Sequence, residues 1–294
     1  MILSSDAFFH FYAIINKRGE FMNIKLIALD LDRTTLNNDA NLTDVTIATL
    51  EKALDNNIEV VLSTGRCNDA LPEDIQKIKH LQYALTSNGA QIRDLQKKSV
   101  LYNNCIDVEP LVKIDCVLRS LDALIEIFID GHAFIERSKY DQIVNTPEDS
   151  FKKRYIKHSR RPVDNVLNLL KKNNQKIENI NLFFETLSQK ESCFKTLNAI
   201  SHITLTSSFD MNLEIGNQST SKASALKVLG ERLNIKAEEM MAFGDHLNDL
   251  EMLKYVKYPI AVANAHALVK KSAFYITDSN HENGVANAIE KFLF

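Results

Sequence analysis

Short apolar runs and helical repeats follow one another along the first part of the chain. Residues 24–29 (IKLIAL) form a nearly continuous apolar run, which is typical of a strand buried on both faces of a parallel sheet. Residues 42–54 place apolar side chains at helical spacing, with Thr43 available as the N-cap. Residues 58–62 (IEVVL) predict a second buried strand. This strand–helix–strand order predicts a βαβ unit and therefore a doubly wound, mostly parallel α/β sheet.

The middle of the chain has a different pattern. Residues 123–137 (ALIEIFIDGHAFIER) contain two alternating runs around a central Asp-Gly pair, which is the signature of a tight β-hairpin. The patterns that follow do not keep βαβ spacing, whereas the α/β rhythm returns in the last third of the chain. We therefore expect a core domain formed by residues 22–103 and 217–294, with a second α+β domain, residues 104–216, inserted into it.

Composition excludes several classes of protein. With 45% apolar and 25% charged residues, the 294-residue chain is neither disordered nor collagen-like. Lysine plus arginine (35) nearly balances aspartate plus glutamate (38), so the net charge of -3 provides no overall field for binding nucleic acid or an anionic membrane. The sequence has no apolar run near the roughly 18 residues that a membrane span requires.

The cysteines and the N-terminus indicate where the protein works. The four cysteines form no CxxC pair, so we expect reduced thiols and a cytoplasmic protein. Residues 1–21 lack a signal-peptide cleavage site, and Met22 opens directly onto the first strand pattern. We interpret residues 1–21 as either a loose, disordered extension or the product of an upstream start site.

Two carboxylates follow the first predicted strand. Asp30 and Asp32 lie where that strand ends, and open α/β sheets bind ligands at the carboxyl ends of their strands. On an extended segment, side chains two residues apart point the same way, so one carboxylate can attack an electrophile while the other transfers a proton. Both can also help to hold Mg²⁺, which prefers oxygen ligands. The alternative is an ordinary polar loop after a strand.

Further polar residues follow other predicted strands. Thr64 and Gly65 come after the second strand, where a hydroxyl and free backbone N–H groups can hold a phosphoryl oxygen. Asp245 follows the strand pattern of residues 240–243 and can be a metal ligand. Asp249 lies at a helix start, where the helix dipole by itself favours an acidic residue.

Lys222 opens a predicted helix over residues 221–233. It can neutralise a bound phosphate and a carboxylate together, and the alternative is a solvated lysine in the first turn. His246 does not predict zinc, because the sequence places no second His or Cys at ligand spacing. A nucleophile, a proton donor, metal ligands and a cationic clamp on successive strand ends are the parts that phosphoryl transfer requires.

Several segments match the ordered motifs of a known family. They are DLDRT, STGR, SNGA, STSKASAL and GDHLNDLEML, followed by a tail that runs from IAVANAHALVKK to NGVANAI. From about residue 23 to its C-terminus the sequence resembles the haloacid dehalogenase (HAD) superfamily, and specifically its Cof-like phosphatases. The resemblance implies a Rossmann-like core and an inserted α/β cap, residues 104–216, that closes over the site and selects the substrate.

The resemblance also implies a role for each matching residue. Asp30 is the nucleophile that forms an aspartyl-phosphate, and Asp32 is the general acid for the leaving alcohol and then the general base for water. The phosphate-binding groups are the backbone of Leu31 and Gly65, together with Thr64, Lys222 and Asn248. The Mg²⁺ ligands are the Asp30 carboxylate, the Asp32 backbone carbonyl and Asp245, with Asp249 and Asn264 in supporting positions.

The sequence departs from the family's pattern at four positions. Arg33, Ala223 and Ala263 each replace a usual glycine, and Asn283 replaces a common aspartate. None of these changes removes a group that does chemistry. Arg33 can contact the substrate or the cap, or it can point to solvent.

These observations predict a Mg²⁺-dependent phosphatase that hydrolyses phosphomonoesters of small metabolites, such as sugar phosphates or phosphorylated cofactors. The alternatives are a sugar phosphomutase with the same chemistry and a non-catalytic sensor of a phosphorylated ligand. We expect no nucleic-acid or membrane partner, and the sequence leaves the oligomeric state open. A basic run in the insertion either forms a solvated surface or binds a second anionic group of the substrate; its members are Lys152, Lys153, Arg154, Lys157, Arg160 and Arg161.

Overall fold

Two β-sheets organise residues 22–294, the part of the chain that the computed structural model describes; the expected N-terminal extension, residues 1–21, lies outside the described residues. The strands are β1 (Leu26–Leu29), β2 (Glu59–Ser63), β3 (Tyr83–Thr86), β4 (Gln91–Asp94), β5 (Ser99–Asn103), β6 (Leu124–Ile129), β7 (His132–Glu136), β8 (Arg160–Val163), β9 (Ile177–Phe183), β10 (Ile203–Thr206), β11 (Asn212–Asn217), β12 (Met240–Gly244), β13 (Tyr258–Ala261) and β14 (Tyr275–Ile276). The helices are α1 (Asp44–Asp55), α2 (Val108–Leu118), α3 (Arg137–Val144), α4 (Phe151–Ser159), α5 (Asn168–Lys172), α6 (Leu187–Leu197), α7 (Lys222–Leu233), α8 (Leu250–Tyr255), α9 (Ala267–Ser272) and α10 (Gly284–Leu293).

The first sheet has the strand order β14-β13-β12-β1-β2-β3-β4-β5. It is parallel from β14 to β3, and β4 and β5 continue it as antiparallel strands. Every residue of the central strand β1 is fully buried, which explains its continuous apolar sequence. The expected doubly wound, mostly parallel α/β sheet is therefore confirmed.

Helices cover both faces of this sheet. Ile27 and Leu29 of β1 belong to the core that α1 and α10 share with one face. Leu26 and Ala28 point to the opposite face, into a core formed with α7, α8 and α9. This alternation follows from the two-residue period of a strand. It leaves the carboxyl ends of the parallel strands uncovered by these helices, at the edge where β1, β2 and β12 continue into loops.

The second sheet is formed within the chain segment between β5 and α7. We call residues 104–216 the insert, keeping the boundaries that the sequence predicts. The order is β10-β11-β9-β6-β7-β8, antiparallel except between β7 and β8. The predicted hairpin is the β6–β7 pair, whose turn is made by Asp130 (φ 52°) and Gly131 (φ 82°).

The two faces of the second sheet differ in chemistry. One face is apolar, and its residues, such as Ile127, Ile180 and Ile215, share a core with α2 and α6. The opposite face carries polar and aromatic side chains, including Glu126 and Glu214, which line a cavity against the strand ends of the first sheet. Among residues 22–294, no helix has both the length and the apolar character needed to cross a membrane.

Candidate active site

The loop after β1 carries the first two carboxylates. Asp30 continues the strand with extended backbone (φ −65°, ψ 151°), and its N–H donates to the carbonyl of Phe243 at 3.1 Å. The chain then turns: the Leu36 N–H donates to the carbonyl of Leu31 at 2.9 Å, and Arg33 has φ 61°. Asp32 also has extended backbone (φ −68°, ψ 124°), so the chain turns only after the second carboxylate. Both carboxylates line the same cavity, although they bind different partners.

Lys222 lies at the centre of the site rather than in solvent. Its side chain is fully buried, and Nζ donates to Oδ1 of Asp30 and to Oδ1 of Asp249, each at 2.6 Å. Both carboxylates raise the pKa of Lys222, more than offsetting the effect of burial, so its ammonium form is stable there. The alternative of a solvated first-turn lysine is wrong.

Three carboxylates meet beside this lysine. Asp30, Asp245 and Asp249 each offer an oxygen, and these oxygens lie within 4.8 Å of one another. Asp249 is held by the backbone, because its Oδ2 accepts the N–H groups of Asp245 (2.9 Å) and His246 (3.1 Å). A Cβ on Gly244 would lie 2.5 Å from Cβ of Asp249, so this close approach requires glycine.

Burial and mutual repulsion shape the electrostatics of these carboxylates. Burial, followed by the charge of Asp249, raises the pKa of Asp30 well above its ordinary value and that of Asp245 to about 7. Lys222 opposes both shifts, and Thr34 Oγ1 donates to Oδ1 of Asp245 at 3.1 Å. When all are ionised, three carboxylates and one ammonium leave an excess of two negative charges. An all-oxygen donor set of this charge can bind a divalent cation.

Asp32 is held by an arginine that the sequence reasoning did not assign. Arg66 forms a two-pronged ion pair with it, Nε to Oδ2 at 2.9 Å and Nη2 to Oδ1 at 2.6 Å. The third prong, Nη1, donates to the carbonyl of Ala70 at 2.9 Å, so the guanidinium is fixed. This contact could have been predicted from the STGR segment. Arg66 follows the end of β2, and β2 pairs with β1, whose end carries Asp32.

The loop after β2 approaches the same cavity. Gly65 lines it, whereas the Thr64 hydroxyl is buried and accepts the Arg66 N–H at 3.1 Å. A Cβ on Gly65 would lie 3.2 Å from Oδ1 of Asn88, which also accepts from Nδ2 of Asn248 at 3.1 Å. The geometry thus brings Asn248 to the cavity, together with Asn88, which the sequence reasoning did not single out.

Arg33 keeps the backbone shape that glycine would favour. Its φ of 61° lies in the left-handed region, at a position where the family usually has glycine. The backbone therefore keeps the conformation that glycine favours, although the residue is arginine. Half of its side chain is exposed, and Nε lies 3.8 Å from Oδ2 of Asp245. Asn264 Nδ2 donates to the Arg33 carbonyl at 2.8 Å and Asn264 Oδ1 accepts the Asn280 N–H at 3.0 Å, which connects this loop to the C-terminal segment.

A cavity of about 310 Å³ separates these loops from the insert. The insert contributes Glu126 and Arg160, which form a buried two-pronged ion pair at 2.9 and 2.8 Å. The ring of Tyr155 lies against the guanidinium groups of Arg66 (5.0 Å) and Arg160 (4.7 Å), so the insert contacts the residue that holds Asp32. Arg160 is therefore buried and does not belong to a solvated basic surface. Lys152 of the same basic run also lines the cavity.

The chain is similar to proteins of one known family. The model of the haloacid dehalogenase-like hydrolase family matches residues 27–289. The chain is similar to the 5-amino-6-(5-phospho-D-ribitylamino)uracil phosphatase YcsE of Bacillus subtilis (strain 168), with 29% identity covering 93% of this chain and 98% of that protein. It is also similar to the phosphatase YwpJ of the same organism, at 28% identity over 92% of this chain and 100% of the other. A solved haloacid dehalogenase-like hydrolase from B. subtilis superposes with a TM-score of 0.81 and 28% identity, covering 92% of this chain and all of its own.

Proposed function

Because the chain belongs to the haloacid dehalogenase-like hydrolases, we propose that it is a Mg²⁺-dependent phosphatase that hydrolyses phosphomonoesters of small metabolites through an aspartyl-phosphate. The observation that carries the proposal is the buried cluster of Asp30, Asp245 and Asp249 around Lys222, at the strand ends that face the cavity. Phosphoryl transfer needs a nucleophile and compensation of the charge on the phosphoryl oxygens, and this cluster supplies both.

Two carboxylates carry the covalent steps. An oxygen of Asp30 attacks phosphorus, and the bond from phosphorus to the ester oxygen breaks as Asp32 gives a proton to the leaving alcohol. Water then attacks phosphorus, Asp32 takes a proton from it, and the bond between phosphorus and Asp30 breaks to release inorganic phosphate. Arg66 orients Asp32 through both carboxylate oxygens in this structure, and in each proton transfer one of these oxygens exchanges its contact with Arg66 for one with the alcohol or the water.

In this proposal the phosphoryl group is bound by groups at the strand ends of the first sheet, of which Gly65 and Asn248 line the cavity. Lys222 supplies positive charge beside the carboxylate of Asp30, whose Oδ1 it contacts at 2.6 Å. The remaining phosphate ligands are the backbone N–H groups of Leu31 and Gly65, the Thr64 hydroxyl and the Asn248 amide. These donors are uncharged, so Lys222 is the cationic clamp of the set.

The metal ligands in this proposal are the carboxylates of Asp30 and Asp245 and the backbone carbonyl of Asp32, with Asp249 orienting Asp245 and Lys222. A bound Mg²⁺ would neutralise the carboxylate cluster and draw negative charge from the phosphoryl oxygens. Burial, followed by the charge of Asp249, raises the pKa values of Asp30 and Asp245, and a cation bound at this buried, negatively charged cluster would relieve both effects, which supports this assignment.

The insert is the cap in this proposal. It forms one wall of the cavity, and Tyr155 links it to Arg66 across the boundary between the two sheets. A cap that closes on the bound substrate excludes water until the leaving alcohol is protonated. The substrates we propose are sugar phosphates or phosphorylated cofactors, and the similarity to a 5-amino-6-(5-phospho-D-ribitylamino)uracil phosphatase supports a small phosphorylated metabolite.

The test is phosphate release by the purified protein with Mg²⁺, first from para-nitrophenyl phosphate and then from a panel of phosphorylated metabolites. We expect release that EDTA abolishes and added Mg²⁺ restores, and a loss of at least about a thousandfold in kcat for Asp30→Asn. Asp39→Asn, a change at an exposed position of the same loop region, is the matched control. Absence of phosphate release from every compound would contradict the proposal, as would isomerised sugar phosphate in place of phosphate or binding without turnover.

A further inference from the structure

The insert presents a row of polar side chains to the cavity. Glu126 on β6, Asn181 on β9 and Glu214 on β11 occupy directly paired positions on three neighbouring strands. All three are buried and all three line the cavity. Because strand residues alternate between faces, the row lies opposite the apolar face that packs against α2 and α6.

Two members of the row have protein partners. Both oxygens of Glu126 accept hydrogen bonds from the Arg160 guanidinium. Oδ1 of Asn181 accepts from Nδ2 of Asn212 at 3.1 Å. These contacts hold the side chains in place within the sheet and account for their burial.

Glu214 is different. Its Oε1 accepts from Ser208 Oγ at 3.0 Å, whereas Oε2 has no hydrogen-bond partner among the described residues, although the side chain is only 2% exposed. Burial raises the pKa of Glu214 to about 7, and hydrogen bonding from the side chains of Ser208 and Asn88 to this carboxyl group opposes the shift. A buried acceptor without a donor is costly, so this oxygen indicates that a donor arrives with a ligand.

Glu214 lies next to the proposed phosphate-binding loop. A Cβ on Gly65 would be 3.3 Å from Oε1 of Glu214, so the ligand group that meets Glu214 is close to the phosphate. Along the neighbouring strand β9 the cavity lining becomes apolar. Phe183 lies two residues beyond Asn181, about 7 Å away, and is paired with Leu124 of β6. Phe209 lines the same cavity.

From this order of groups we propose that the cavity takes a phosphate monoester whose alcohol carries a hydroxyl or N–H donor close to the ester oxygen and an apolar ring beyond it. Glu214 selects this alcohol by accepting a hydrogen bond from the donor at Oε2, and the wall that includes Leu124, Phe183 and Phe209 packs against the ring. The assignment rests on the proposed phosphatase function, and it makes Glu214 a specificity-determining residue.

Four synthetic substrates separate the two features of the alcohol. They are propyl phosphate, 2-hydroxypropyl phosphate, 3-phenylpropyl phosphate and 2-hydroxy-3-phenylpropyl phosphate. Within each pair that differs by the hydroxyl, we expect kcat/KM to be about tenfold or more higher for the hydroxylated compound. The phenyl group should raise kcat/KM by about tenfold within each pair that differs by the ring.

The ratio within a pair is the quantity to compare between variants, because any general loss of active enzyme cancels in it. Glu214→Met removes the acceptor at similar volume and should reduce the hydroxyl advantage to less than about threefold, whereas Glu214→Gln keeps an acceptor oxygen and should retain more of it. Glu191→Met, at an exposed position of α6, is the matched control and should keep the ratio of the unmodified protein. Phe183→Ala should reduce the phenyl advantage.

A hydroxyl ratio near one in the unmodified protein overturns the inference, and so does a ratio that Glu214→Met leaves unchanged. The ratio of the unmodified protein decides the question even where Glu214→Met does not fold. No phosphate release from these four compounds or from para-nitrophenyl phosphate is a different result, because it contradicts the proposed function itself.

Discussion

Burial decides what individual side chains of this site can do. From the sequence, Lys222 could either neutralise a phosphate and a carboxylate or be a solvated lysine, because a lysine is ordinary in the first turn of a helix. Its complete burial between Asp30 and Asp249 excludes the solvated lysine and agrees with a lysine that neutralises carboxylates. Asp30 and Asp245 could be predicted from their positions after buried strands. The partner of Asp32 and the burial of Glu214 could not, because they depend on contacts between chain segments far apart in sequence.

Removing the charge of Lys222 should destabilise the protein as well as inactivate it. Lys222→Met leaves the carboxylates of Asp30 and Asp249 buried without their cation, which costs about 3–5 kcal/mol in the free energy of unfolding. Urea unfolding in EDTA measures this loss, and Lys227→Met, an exposed position on the same helix, is the control. Equal unfolding midpoints for the two variants would contradict the assigned role.

At the scale of elements, apolar periodicity predicts the regular structure well and the functional turn poorly. The helix predicted over residues 221–233 is α7, Lys222–Leu233, and the strand predicted over residues 240–243 is β12, Met240–Gly244. The turn after Asp30 was not predicted, because it needs a left-handed residue and the sequence has Arg33 there. The Asn264 contact to the Arg33 carbonyl comes from the far end of the chain, so local sequence carries no sign of it.

Strand β2 carries a carboxyl group that should make stability depend on pH. Burial raises the pKa of Glu59 to about 7 from 4.5, and its Oε1 has no hydrogen-bond partner among residues 22–294. The folded state therefore binds more protons than the unfolded state between these two values, so Glu59 lowers stability as the pH rises from about 4.5 to about 7.

The Glu59→Gln variant isolates this effect. The melting temperature of the variant minus that of the unmodified protein should increase as the pH rises from about 4.5 to about 7, because the glutamine has no proton to lose. Glu191→Gln, at an exposed position, should show a constant difference. A Glu59→Gln difference that does not change with pH would show that Glu59 keeps an ordinary pKa in the folded state.

At the scale of the whole molecule, the function depends on two sheets that share one cavity. The change from βαβ rhythm to hairpins predicted that a second unit interrupts the first, and the strand orders agree with this. The way the units meet is set by particular side chains, such as the Tyr155 ring, which contacts both Arg66 and Arg160. A second contact joins Asp69 of the first unit to His132 (2.6 Å) and Arg161 (2.8 Å) of the insert. Such contacts between distant segments leave no periodic pattern in a sequence.

The central claim is that Asp30 becomes phosphorylated during turnover. Its most direct test is to quench the unmodified protein with acid during turnover of para-nitrophenyl phosphate in Mg²⁺, reduce it with borohydride, and locate the product by mass spectrometry of peptides. Borohydride converts an aspartyl-phosphate to homoserine. We predict homoserine at position 30 in the unmodified protein. Continued phosphate release with homoserine at another aspartate, and none at position 30, would contradict the account.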